Sequence, residues 1–248
     1  MKNSIQILPV LKIDPADVAE RALVVGDPLR AAEAAQLLDN PVELGFFREY
    51  RTFAGEYKGK PIIIVSHGVG AAGASICFEE LAQAGVKTII RAGTCGAMKA
   101  NIKDGEFIIG TGAIREDGVS DRLLPLSYPA IADRHVITSL VSAAENKGYA
   151  EPHEGMILTR AYFYDGALPS KVNFWFEAGA NVIAAEMEFA VLLTIASIRG
   201  MRAGGLFTSD GNMTEESDLH TYDPHRTVVK EGVANMLKVA LDALSRLN

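Results

Sequence analysis

The sequence predicts an α/β protein: a mostly parallel β-sheet with helices on both faces. Three observations predict it. Short apolar runs alternate with helical patterns from one end of the chain to the other. Nearly half of the 248 residues are apolar, enough for a large buried core. No low-complexity linker or internal repeat divides the chain, so a single domain spanning 1–248 is expected.

The elements follow in order. "ALVVG" (Ala22 to Gly26) reads as a buried strand, and "DPLRAAEAAQLLD" as a turn and helix. "PIIIVS" (Pro61 to Ser66) is a second strand, followed by the helix "AGASICFEELAQAG", whose small residues suit close packing. "TIIRAGTCG" (Thr88 to Gly96) is a strand ending in a Gly-rich loop, and "EFIIGTGAI" follows the turn "KDG". "HVITSLVSAAENKG" is a helix, and "KVNFWFEAGA" (Lys171 to Ala180) reads as a lid or interface loop. "NVIAAEMEFAVLLTIASIRG" is a short strand running into a long apolar helix. "AGGLFTSDG" is a late strand, and "VVKEGVANMLKVALDALSRL" is a closing amphipathic helix.

A net charge of −7 argues against a nucleic-acid-binding face, so anions would bind only where particular arginines converge. Cys77 and Cys95 show no disulfide or metal spacing and read as buried free thiols. The five histidines form no metal-ligand pattern. No signal segment opens the chain, and no apolar run approaches the ~20 residues of a membrane span, so a cytoplasmic protein without a membrane partner is expected.

Within "SHGVGAAGAS", Gly68, Gly70 and Gly73 spell G-x-G-x-x-G. A dinucleotide site also needs an acidic residue closing the next strand, about 20 residues on. That strand carries Arg91 instead, and "ALVVG" has no fingerprint of its own. An Arg could still suit the 2′-phosphate of NADP; the other readings are glycines that permit tight helix–strand packing, or backbone that approaches some other ligand.

Strand C-terminal ends are where open α/β sheets bind ligands. Arg30 follows "ALVVG" through a G-D-P turn, Arg91 closes "TIIR", and Arg48 lies in "FFREYRTF". A single Arg is usually a solvated surface residue. Arg91 departs from that expectation, because it caps an apolar strand beside Gly93 and Thr94. Its planar fork suits phosphate or carboxylate, with Thr94 and nearby N–H groups completing a cradle. Glu186 and Glu188 open an apolar helix, where a carboxylate either complements the helix dipole or accepts from a vicinal diol. Asp210, in "TSDG", is either a turn residue or a general acid with its pKa raised by burial. Tyr162, Phe163 and Tyr164 are core rings or a stacking wall.

Taken together, "VVGDPLR", "REY", "SHGVG", "EELAQAG", "IIRAGTCG", "EMEFA" and "TSDG" resemble, in order and over nearly the whole chain, the nucleoside phosphorylase-I family of purine nucleoside and uridine phosphorylases. The resemblance implies an α/β/α sandwich around a mixed, partly barrelled sheet. It implies phosphate held by Gly26, Arg30, Arg91 and Thr94, with Arg48 donated across a dimer within a hexamer. Ribose would meet Glu188, Met187 and Val69. The base would meet Cys95, Gly96, Tyr162, Phe163, Glu186 and Asp210, which would protonate purine N7. Arg91 and Asp210 are the catalytic pair so implied. Phosphate would be a co-substrate, with no cofactor or metal.

The base is contested within the resemblance. Asp210 matches the purine branch, whereas "GAIREDGVS" and "PLSYPAIAD" look like the uridine branch. The Gln and Arg that grip uracil are missing from "YFYDGALPSK", so purine nucleosides are favoured and uridine is the alternative. Val10 stands where relatives often carry a His for the 5′-hydroxyl. Gly73 replaces a side chain that would join Glu49 in a structural potassium site. Leu158, Thr159 and Arg160 replace the family's "SSD", leaving Arg160 without a role. No Arg follows Asp210 until Arg226, and His225 or Arg226 would assist the acid only by folding back along the polar stretch "GNMTEESDLHTYDPH". A hydrolytic nucleosidase would not need the anion-site arginines, and a non-catalytic nucleoside-binding protein would not need the acid.

Overall fold

The computed structural model describes residues 7–168, 171–213 and 222–247. Its strands are β1 (Arg21–Val25), β2 (Asp39–Phe47), β3 (Tyr50–Tyr57), β4 (Lys60–Ser66) and β5 (Thr88–Ala97). They continue as β6 (Phe107–Glu116), β7 (Ala130–Ile131), β8 (His153–Arg160), β9 (Val182–Glu186) and β10 (Arg202–Asn212). The helices are α1 (Pro28–Ala35), α2 (Ala71–Gln83), α3 (Ser120–Leu123), α4 (Arg134–Asn146), α5 (Lys171–Glu177), α6 (Phe189–Arg199) and α7 (Thr227–Arg246).

β5 pairs with β10, β10 with β6, β6 with β8, β8 with β9, and β9 returns to β5. These strands close a ring with no free edge of its own. From β5 the sheet runs outward through β1, β4 and β3 to β2. One apolar core, with Phe78, Leu81, Phe189 and Leu192, lies where α2 packs on α6. A second, with Leu140, Met236, Leu237 and Leu241, lies under α4 and α7. Helices therefore cover both faces, as expected. α6 is buried from Phe189 through Ala196, which explains why its sequence is apolar all round rather than striped.

The expectation of a mostly parallel sheet is corrected. β1–β4, β1–β5, β5–β10, β6–β8 and β8–β9 are parallel, while β2–β3, β3–β4, β5–β9, β6–β7 and β6–β10 are antiparallel. The mixed, partly barrelled sheet implied by the resemblance is the one found. β2 is exposed or half-exposed throughout and shows no alternation to read. The "AGTCG" stretch is ordered strand rather than loop, so Arg91 lies inside β5 rather than at its end. "KVNFWFE" is helix α5, not a loop. Among the described residues no helix is long and apolar enough to cross a membrane.

Candidate active site

β1, β4, β5 and β10 run parallel, so their C-terminal ends open on one edge of the sheet. Gly26, the His67–Gly70 loop, Arg91 to Gly96 and Asp210 gather there. The Asp27 carboxylate accepts from the Leu29 N–H at 2.8 Å and caps α1, with Pro28 fixing its first turn. That turn carries Arg30 to the same edge.

Arg91 is buried, and its guanidinium folds back over its own strand. A Cβ at Gly93, two residues on and on the same face, would lie 3.0 Å from the guanidinium carbon. Arg91 Nε donates to Glu186 Oε2 at 3.1 Å, and Nη2 to Glu188 Oε2 at 2.5 Å. Nη1 donates to His67 Nε2 at 2.8 Å. Guanidinium only donates, so His67 Nε2 is the acceptor and Nδ1 carries the hydrogen given to Gly68 O at 2.8 Å. Burial, reinforced by Arg91, holds the His67 pKa well below the ordinary value, so the ring is neutral. Burial alone would lower the Arg91 pKa, but Glu188 and Glu186 outweigh it and keep the guanidinium firmly charged. One N–H on each terminal nitrogen remains for an incoming anion.

The two carboxylates divide the work. Glu186 accepts from the Glu188 and Phe189 N–H groups, from Thr159 Oγ1 and from Arg91, and so ties the end of β9 to the start of α6. Its oxygens are occupied by the protein. Glu188 accepts from Arg91 and, at 2.5 Å, from the Gly70 N–H at the start of α2. Burial raises its pKa, with Arg91 opposing and Glu186 adding to the rise. The glycine loop thus aims its helix N-terminus at a carboxylate of its own chain. Gly70 has φ +93° and Gly68 φ +74°, and a Cβ at Gly68 would meet Glu49 Cγ at 2.6 Å.

Arg30 is half-buried, and among the described residues no carboxylate lies within ion-pair distance of it. Burial lowers its pKa; Asp27 opposes this, and Arg91 repels it. Arg48 is exposed on the β2–β3 turn at φ +55°, in the left-handed region that costs a side-chain-bearing residue about 1–2 kcal/mol. It makes no ion pair among the described residues.

Asp210 occupies a bulge: the β10–β5 register shifts between Ser209 and Gly211, which re-aims the side chain. The Tyr222 hydroxyl donates to its Oδ2 at 3.0 Å. Burial raises the Asp210 pKa; Tyr222, Thr94 and Arg30 pull it partly back. Arg226 does fold back, donating to the Asp210 backbone carbonyl at 3.1 Å and pairing with Asp104 at 2.7 Å, but it does not take the carboxylate. Much of the polar stretch, residues 214–221, falls outside the described residues.

Residues 20–245 match the family model of the phosphorylase superfamily. The chain belongs to the phosphorylase superfamily. It is 35% identical over 241 residues to a guanosine phosphorylase of Halorubrum lacusprofundi, covering 96% of this chain and 98% of that protein. It is 36% identical over 244 residues to a purine nucleoside phosphorylase of Plasmodium falciparum, covering 97% of each. It is 35% identical over 242 residues to a uridine phosphorylase of Escherichia coli, covering 92% of each. Its fold matches the crystal structure of a purine nucleoside phosphorylase from Toxoplasma gondii in complex with immucillin-H, with a TM-score of 0.92 and 34% identity over 99% of this chain and 98% of that one.

The remaining candidate residues vary in how far they are buried. Val69 is 81% exposed at the tip of the glycine loop, and Met187 is half-buried between the two glutamates. Cys95 is buried, with its thiol pKa raised by burial and by Asp210 and Glu186. The Met213 side chain covers Gly96. Arg160 gains an account: its guanidinium lies 4.7 Å over the Tyr162 ring and pairs with Asp165 at 2.8 Å, anchoring the aromatic stretch. Phe163 touches both Tyr164 and Tyr222. A groove of about 540 Å³, with Arg115, Leu126 and Tyr128 in its wall, shares Tyr162 with that stretch. The Val10 N–H donates to Glu80 Oε1 at 2.8 Å, fastening the N-terminal segment to α2. Glu49 packs over Gly68 and Gly73, and among the described residues no group of three or more His, Cys, Asp or Glu could hold a metal ion.

Sequence reasoning missed His67, Thr159 and Tyr222 as members of the charged network. His67 and Thr159 left a faint signal, each a polar residue at the end of an apolar run. Tyr222 left none.

Proposed function

We propose that this chain catalyses the phosphorolysis of nucleosides, nucleoside + phosphate ⇌ ribose-1-phosphate + base, and prefers purine nucleosides. The observation that carries it is the state of the two arginines. Arg30 is half-buried with no carboxylate within ion-pair distance among the described residues, Arg91 keeps two N–H groups beyond those given to His67, Glu186 and Glu188, and the two guanidinium groups lie near enough to repel. A half-buried cation with no ion pair among the described residues, near a second that has N–H groups to spare, supports a bound anion.

Phosphate is held by Arg30, Arg91, Thr94 and the Gly26 backbone. Glu188 accepts from the ribose diol, with Met187 and Val69 against the sugar. Glu186 positions Arg91 and the α6 N-terminus below the base. Tyr162 and Phe163 form the stacking wall beside Cys95 and Gly96. In the reaction the C1′–N9 bond breaks, its electron pair stays with the purine, N7 takes the Asp210 proton, and a phosphate oxygen bonds C1′. Proton donation of this kind contributes about 10²–10⁴-fold. The raised Asp210 pKa supports that role and the purine preference. Uridine is the second reading. It rests on "GAIREDGVS" and "PLSYPAIAD", which build β6, the Arg115-bound loop and β7 rather than the charged cluster.

Phosphate is the co-substrate, and no cofactor is proposed. The exposed Arg48, on a hairpin that also exposes Val42, Phe46 and Phe47, supports donation across a dimer within a hexamer. A single-domain, cytoplasmic enzyme is the accompanying proposal. The test is base release from inosine, guanosine, adenosine, methylthioadenosine and uridine, each with and without phosphate. Phosphate-dependent release from purine nucleosides is expected. Equal release without phosphate would make the chain a hydrolase, and the absence of turnover on every nucleoside would make it a binding protein.

A further inference from the structure

Asp210 is the candidate acid, and two hydroxyls reach its carboxyl: that of Tyr222, from the segment leading into α7, which donates to Oδ2 at 3.0 Å, and that of Thr94, from β5. A protonated carboxyl has one O–H and one carbonyl oxygen, and a donor on one oxygen makes that oxygen the acceptor. The same Tyr222 ring lies 5.8 Å from the Phe163 ring, centroid to centroid. We propose that Tyr222 is a positioning residue for Asp210: its hydroxyl donates to Oδ2, which assigns the transferable proton to Oδ1, and its ring sets Phe163 beside the acid. The proposal rests on the phosphorolysis of purine nucleosides argued above.

Among the described residues, the other groups near Asp210 are placed differently. Arg30, from α1, acts on the carboxyl through its charge. Cys95, from β5, carries a neutral thiol directed toward Thr208 O. Arg226 is spent on the Asp210 backbone carbonyl and on Asp104. Thr94, also from β5, donates to the carboxylate form and lowers the Asp210 pKa, and as a hydroxyl it can accept from the carboxyl O–H once Asp210 is protonated. Burial and Asp210 raise the phenol pKa, so Tyr222 stays a neutral donor. As the proton moves to N7 the carboxyl becomes anionic, and the phenol hydrogen bond becomes charge-assisted and stronger. Tyr222 therefore stabilises the transition state more than the ground state.

The test compares wild type with Tyr222→Phe, which keeps the ring and removes the hydroxyl. The substrates are inosine and 7-methylguanosine, whose alkylated, cationic purine needs no proton at N7. On inosine, kcat should fall about tenfold with KM within about threefold, the size of one lost hydrogen bond. The alkaline limb of kcat should move to higher pH, because losing the donor makes Asp210 a weaker acid. On 7-methylguanosine the two proteins should match within about twofold. In an Asp210→Asn background the same change should cost less than about twofold, since the proton it directs is gone. Equal losses on both nucleosides, an unmoved alkaline limb, or a full loss in the Asp210→Asn background would overturn the proposal. Wild type alone reports on the underlying reading: if it releases no base with phosphate from either nucleoside, phosphorolysis itself fails and the role of Tyr222 falls with it.

Discussion

The Glu188 carboxylate bridges β5 and α2, accepting from Arg91 Nη2 and from the Gly70 N–H at 2.5 Å each. A carboxylate has room for about four hydrogen bonds, so two positions remain open to a diol. The residue that would hold the sugar also holds the arginine that would hold phosphate.

Glu188→Gln should therefore damage both substrates. An amide must turn one N–H toward an existing donor and loses the charge that Arg91 balances. The expected loss in kcat/KM for the nucleoside is about 10–100-fold, the worth of a charged hydrogen bond, with KM for phosphate rising as well. Steady-state kinetics with each substrate varied in turn would check it; an effect confined to the nucleoside would contradict the bridge.

Arg30→Met should separate stability from function. It removes a partly buried cation that has no carboxylate within ion-pair distance among the described residues, and leaves a side chain of similar length. The midpoint of thermal unfolding without phosphate should rise by about 2–4 °C. Added phosphate should stabilise wild type further and the variant hardly at all. Differential scanning calorimetry with and without phosphate measures both.

Gly93→Ala tests the folded-back geometry of Arg91. The added methyl would lie 3.0 Å from Arg91 Cζ, so the guanidinium must shift. KM for phosphate should rise about tenfold or more, because a misplaced binding group loses its alignment. Circular dichroism should stay that of wild type.

His67 should mark the acid side of the stability curve. Its folded pKa is depressed well below about 6.5, so below that pH the unfolded chain takes a proton that the native ring refuses. Stability from this residue is therefore full above about pH 6.5 and is lost as pH falls toward the folded pKa, at up to about 1.4 kcal/mol per pH unit. Urea unfolding between pH 7 and pH 5 should show a shallower slope for His67→Gln than for wild type. Parallel curves would place the proton elsewhere.

Most helices were legible because their periodicity and caps are local: Asp27 before Pro28, and the stripe of α7. The ring of strands was not, because β8 and β2 carry no alternation and closure depends on pairings such as Gly96 with Ala185, far apart in the chain. Arg91 was visible as a charge in an apolar run, but the reason it can lie there is distributed over His67, Glu186, Glu188 and Gly93. Asp210 could be named from "TSDG", yet the bulge that aims it arises from a register between two strands. Tyr222 follows a stretch with no hydrophobic rhythm, and only the folded chain brings it to the acid. Arg48 stayed as the sequence left it, an exposed charge on the β2–β3 turn with no ion pair among the described residues.

The closed circuit of β5, β10, β6, β8 and β9 has a mechanical consequence. Arg91, Glu186 and Asp210 are all borne on strands hydrogen-bonded on either side, so their relative placement resists loosening. The rings of Tyr162, Phe163 and Tyr222 hang from segments outside that hoop. On the proposed function, substitutions in those segments would alter the surroundings of the base while the strand-borne charges keep their places.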